Sequence, residues 1–164
     1  ASLQILAHVL LPLMWVLYGY RVRMELVIGK GISLVEFGIF EAEAIQKLGK
    51  PDKSFTTDAQ CKRLQYFDLR LELSFEPEND NRLGWIEVHN PDCQMFGRQL
   101  IGVQQGEVLD FVESNCNEEP EVEDYGSMES AFFSNSCLEL QFEFGKCSNI
   151  NFGVLYDKND EPVW

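Results

Sequence analysis

The sequence predicts an α+β fold in which two tandem units, each a helix followed by a three-stranded antiparallel meander, form one pseudo-symmetric domain. Three observations predict it. The pentapeptide LELSF at residues 71–75 returns sixty-seven residues later as LELQF at residues 138–142. Apolar and polar residues alternate through both copies, the period of a strand with one buried face. Upstream of each copy stands a stretch with apolar residues at helical spacing, so the same order of elements is expected twice.

Taken in order, MELVI from Met24 reads as a strand and is followed by the glycine-punctuated GKGISLVEFG. Phe40, Ala44, Ile45 and Leu48 recur at helical spacing, and Gly49 with Pro51 supplies a stop signal. RLQYF, RLELSFE and LGWIEVH are the three strands of the first meander, with Asn79, Asp80 and Asn81 as the turn before Trp85. A shift of sixty-seven places Ile45 on Val112 in the second helical stretch EVLDFVES, Tyr66 on Phe133, and Trp85 on Phe152. Residues 145–149 then form the second hairpin turn. Asn115 and Cys116 stand where Leu48 and Gly49 stand in the first copy, so the second helix lacks the same stop. The first unit spans residues 24–98 and the second residues 99–164. A unit of this size buries too little surface alone, so a shared core is expected.

Residues 1–23 are apolar almost throughout until Arg21 and Arg23. His8 and Pro12 interrupt the run, and no basic region precedes it as in a secretory signal. Three readings stand: a membrane anchor trimmed at its start, a buried helix, or an appended leader ahead of a native start at Met24. The leader is preferred, because the ordinary pattern of a soluble domain begins at Met24. An anchor followed by those arginines would also leave the domain in the cytoplasm.

The 164 residues carry a formal net charge of -14, which opposes binding to a polyphosphate and favours a basic partner. Residues 24–98 hold nine Lys or Arg against thirteen Asp or Glu, a net of -4, whereas residues 99–164 hold two against fourteen, a net of -12. Glu113, Glu118, Glu119, Glu121, Glu123 and Asp124 fall within twelve residues. Like charges this close repel, so the segment is expected as an exposed loop that steers and binds a cationic partner.

Little points to catalysis. Cys61, Cys93, Cys116, Cys137 and Cys147 are odd in number and contain no C-x-x-C pair, which fits small buried thiols in a reducing cytoplasm. His89 and Cys93 in HNPDC are close in sequence but read as a turn. No Walker loop, G-x-G-x-x-G or G-x-S-x-G occurs, and YDKNDEP lacks the glycine and glutamate of an EF-hand loop. Glu72 and Glu139 occupy matching positions on the outer faces of strands. A protein without cofactor, metal or catalytic residues is expected.

The stretch GISLVEFGIFEAEAIQKLGKPDK combines a glycine, a short apolar run, a helix ending in Leu-Gly, and a proline. It resembles BamE-like units and the tandem-repeat immunity proteins of bacterial toxin systems. FGRQLIGVQQGEVLDFVES, followed by CLELQFEF and INFGVLYD, is similar to the second half of those immunity-type proteins. The resemblance lies in scaffold positions and carries over no functional residue. It implies a cytoplasmic inhibitor that binds and neutralises a cognate toxin, and the acidity agrees with a basic toxin of the nuclease class. The alternative is a membrane-tethered or envelope scaffold that docks other proteins, with residues 1–23 as its anchor.

Overall fold

In the computed structural model, which describes residues 24–164, the chain forms one large and two small β-sheets with two short helices. The expectations for residues 1–23 lie outside the described residues. Strands β1 (Glu25–Val27), β2 (Gly31–Ile32) and β3 (Val35–Glu36) open the chain and lead to helix α1 (Glu41–Leu48). A four-stranded meander follows: β4 (Lys53–Thr56), β5 (Lys62–Tyr66), β6 (Leu71–Glu76) and β7 (Arg82–Val88). Then come β8 (Gln94–Met95), β9 (Arg98–Gln99) and helix α2 (Gln105–Cys116). The second meander is β10 (Glu121–Asp124), β11 (Met128–Phe133), β12 (Leu138–Glu143) and β13 (Lys146–Gly153), and a ribbon of β14 (Leu155–Tyr156) with β15 (Pro162–Val163) ends the chain.

This corrects the predicted fold class. The molecule is mostly β, with only two helices among the described residues, rather than an α+β pair of helix-plus-three-strand units. Both meanders have a fourth strand and merge into a single eight-stranded sheet in the order β10-β11-β12-β13-β7-β6-β5-β4. The glycine-punctuated stretches build a five-stranded sheet in the order β3-β2-β1-β8-β9, with β1 and β8 parallel. Gly31 is required there: its φ is +125°, and a Cβ would lie 2.5 Å from the Val35 carbonyl oxygen.

The sixty-seven-residue offset is visible in the pairing. Tyr66 pairs Leu71 as Phe133 pairs Leu138, and the turns between them close on Arg70 (φ +49°) and Cys137 (φ +46°). Register shifts fall at Ser74/Phe75 and at Gln141/Phe142, again sixty-seven apart. Beyond that point the offset changes. Leu71 pairs Val88 and Leu138 pairs Phe152, so Val88, not Trp85, corresponds to Phe152. The cause is turn length. Residues 77–81, including a 3-10 turn at Pro77–Asn79, join β6 to β7, whereas residues 144–145 alone join β12 to β13. Residues 146–149, expected in that turn, instead begin β13.

Two apolar rows cross the large sheet on one face: Leu64, Leu73, Ile86, Phe152, Leu138 and Phe133, then Tyr66, Leu71, Val88, Ile150, Leu140 and Ala131. All twelve are buried and belong to a single core with Leu26, Ile32, Val35 and Met95 of the small sheet and Ala44, Val108 and Val112 of the helices. The Phe37 ring meets Phe152 edge to face at 5.3 Å. The helices and the small sheet thus cover one face of the large sheet, leaving its polar face on the opposite side.

Helix ends follow local chemistry. The Phe40 N–H donates to Glu43 Oε2 at 2.9 Å at the start of α1, and Gly49 (φ +88°) terminates it. Helix α2 ends at Asn117 in the left-handed region (φ 52°), so its stop lies two residues beyond Asn115 and uses asparagine in place of glycine.

Candidate functional site on the polar face and acidic edge of the large sheet

Strand alternation that buries the apolar rows places a polar row between them. From edge to edge it reads Lys53, Gln65, Glu72, Glu87, Asn151, Glu139, Phe132 and Glu121. Glu72 and Glu87 stand directly opposite on neighbouring strands, an arrangement that like charges oppose. Each has a basic neighbour. Arg63 Nη1 donates to Glu72 Oε1 at 3.0 Å, and His89 Nε2 lies 2.6 Å from Glu87 Oε1. The hydrogen bond from His89 holds the Glu87 carboxyl below its ordinary pKa and outweighs the opposing effect of burial. The same bond raises the His89 pKa.

Across β11, β12 and β13 the polar side chains form a chain. Ser130 Oγ donates to Glu139 Oε1 at 2.6 Å, and Asn151 Nδ2 donates to Glu139 Oε2 at 2.9 Å. Asn149 Nδ2 donates to Asn151 Oδ1 at 3.2 Å, and Ser148 Oγ to Asn149 Oδ1 at 3.0 Å. Ser130, Asn149 and Asn151 are buried although they face away from the apolar core. This network satisfies buried polar groups and pins the register of β13 where the two meanders join. Sequence reading assigned Glu139 to an outer face but missed Asn149 and Asn151, because SNIN reads as turn chemistry.

Beside that network lies a row with open valences. Ser74 Oγ and Arg63 Nε are the two buried side-chain polar atoms without a hydrogen-bond partner among the described residues, and their strands place them directly opposite each other. Trp85 follows in the row, packed so closely on Gly153 that a Cβ there would lie 2.8 Å from Trp85 Cε3. At the end of the sheet, burial and then the Glu78 charge raise the Glu76 pKa, while Asn79 Nδ2 donates to Glu76 Oε2 at 2.9 Å.

The six acids expected in one exposed loop are distributed over four settings. Glu113 lies within α2. Glu118 is a structural acceptor, taking the Asn135 N–H at 2.6 Å and Ser136 Oγ at 2.9 Å, and so fastens the turn between β11 and β12. Glu119 is exposed in the connection to the sheet. Glu121, Glu123 and Asp124 belong to β10, the edge strand, all four of whose residues are exposed. Glu121 and Glu123 pair with Phe132 and Ser130 and therefore share the polar face with Glu139. Tyr125 Oη donates to Glu123, and the Gly126 N–H donates to Asp124 Oδ1 at 2.7 Å. Val122, Tyr125 and Phe132 are exposed beside these acids.

His89 is turned to Glu87, while Cys93 is buried and its thiol is pushed up to about 12 by burial, so the two do not form a nucleophile and base. All five thiols are free. Among the described residues no group of three His, Cys, Asp or Glu side chains is placed to hold a metal ion, and no helix is long and apolar enough to cross a membrane.

No protein-family model matches the chain, and no curated protein matches it. Two solved structures are similar in shape. An extracellular protein containing an SCP domain from Bacillus anthracis is 10% identical at a TM-score of 0.45, over 70% of this chain and 43% of that one. A DUF4309 family protein (YjgB) from Bacillus subtilis is 11% identical at a TM-score of 0.46, over 77% of this chain and 88% of that one. This chain thus spans less than half of the first.

Proposed function

We propose that the protein is an immunity-type inhibitor that binds and neutralises a basic effector inside the cell, a toxin of the nuclease class, along the β10 edge. The observation that carries this reading is the edge itself. Among the described residues strand β10 ends the sheet, with no strand paired to its outer side, and it carries Glu121 and Glu123 on the polar face. Exposed Phe132 and Tyr125 supply apolar anchors beside them, and Val122 is exposed on the opposite face of the strand. Charge pairing sets the association rate and partner choice, apolar anchors set the lifetime of the complex, and a strand of the partner extends the sheet. The concentration of acid in residues 99–164 supports the same polarity, and an acidic edge fits a site that would otherwise hold phosphate.

The test is capture of basic proteins on the immobilised chain at low salt, followed by surface plasmon resonance with the captured protein, comparing wild type with Glu121→Lys/Glu123→Lys. The double variant is expected to slow association by about tenfold or more and to flatten its salt dependence. An unchanged rate with new aggregation would assign those acids to protection of the sheet edge and overturn the reading.

A further inference from the structure

We infer that the two edges of the large sheet fit each other, so that a second copy of this chain docks head to tail with its β4 against β10. Every pairing between neighbours in the eight-stranded sheet is antiparallel. Seven such steps separate β10 from β4, so these two edges run in opposite directions. A copy displaced along the sheet without being turned over therefore meets its neighbour as an antiparallel pair, and no strand has to reverse. Each edge strand is four residues long.

The edges are also opposite in charge. β10 carries Glu121, Glu123 and Asp124 and no cation. β4 carries Lys53 and no acid, with Lys50 ahead of it and Lys62 paired to its last residue, Thr56. Asp52, the nearest acid, is occupied by the Phe67 N–H at 2.7 Å. Charge on an edge strand discourages edge-to-edge pairing. Here that protection works for like edges only: β10 repels β10 and β4 repels β4, while β4 and β10 attract. Lys53 and Glu121 end the same polar row, so both present their charge from the same face of the sheet. The contact is heterologous and does not close on itself. It occupies the edge assigned above to the effector, so copies of the chain and the effector compete for β10. The inference stands on the two edges alone and does not require that function.

Sedimentation velocity at about 0.15 M salt over a concentration series up to about 1 mM tests it. Wild type is expected to form dimers and larger species as concentration rises. Lys53→Glu/Lys62→Glu, altered at β4, and Glu121→Lys/Glu123→Lys, altered at β10, are each expected to remain monomeric. Mixed in equal amounts, the two variants share one native β10–β4 contact and one with its charges exchanged, so they associate with each other although neither associates alone. A monomeric wild type throughout the series, association that survives either pair of substitutions, or a mixture that yields no dimer would overturn the proposal. The β4 variant keeps its β10 edge and so retains effector binding in the resonance assay, which separates failure of self-association from failure of the proposed function.

Discussion

Glu87 and His89 show how single side chains make a tolerable sheet from a sequence that sets carboxylates opposite each other. The pair titrates in a defined window. His89 has a raised pKa when folded, so its contribution is complete below the ordinary value of 6.5 and is lost as pH rises through the folded value. Glu87 has a lowered pKa, so its contribution is present above 4.5 and is lost as pH falls through its folded value. His89→Gln is therefore expected to reduce stability most between pH 4.5 and 6.5, with the difference fading at higher pH. The His89 side chain is 48% exposed, and solvent screening keeps the maximum below about 1 kcal/mol. Urea unfolding of both proteins at about pH 5.5 and about pH 8.5 checks it, and a difference that grows with pH would contradict the assignment. Glu118 teaches a related lesson. In sequence it is one acid in a run of acids, yet its oxygens serve a turn, and only the fold separates it from Glu121 and Glu123.

At the level of elements, the glycines separate turns from packing sites. Gly153 lies within β13, where a Cβ would meet Cys137 Sγ and Trp85 Cε3 at 2.8 Å, and a rigid indole cannot give way. Gly153→Ala is expected to destabilise by about 1–3 kcal/mol through overpacking. Gly106 lies in α2 with nothing within 4 Å of its would-be Cβ, so Gly106→Ala is expected to stabilise by up to about 1 kcal/mol. Thermal unfolding of the two variants reads both signs at once. Elements with an apolar period were legible in the sequence: Leu71, Leu73 and Phe75 announce β6, and Ala44 with Leu48 announces α1. Strands β4 and β10 were not, because KSFT and EVED bury almost nothing and owe their form to backbone pairing along one side. Those two missing strands, together with two-residue strands hidden among glycines, turned a mostly β molecule into an expected α+β one. The acidic edge was legible as composition and misread as a loop for the same reason.

For the whole molecule, the decisive junction is β7 against β13, where Ile86, Val88, Ile150 and Phe152 unite the two meanders. All four are fully buried, and their strands are the innermost of the eight. Their amides are expected to exchange with deuterium only through global unfolding, at least about a hundredfold more slowly than amides of the exposed edges β4 and β10. Fast exchange at β7 and β13 would mean that the meanders open separately. The difference in hairpin length has its own consequence. The longer β6–β7 turn carries Asn79, which is buried and whose Nδ2 donates to Tyr156 Oη at 2.9 Å, so it moors the terminal ribbon. At the opposite end of that ribbon, Trp164 lies over Gly38. The compact β12–β13 turn has no such tenant. The two hairpins are therefore not interchangeable: grafting the two-residue turn 144–145 in place of residues 77–81 would leave the closing ribbon without the asparagine that moors it.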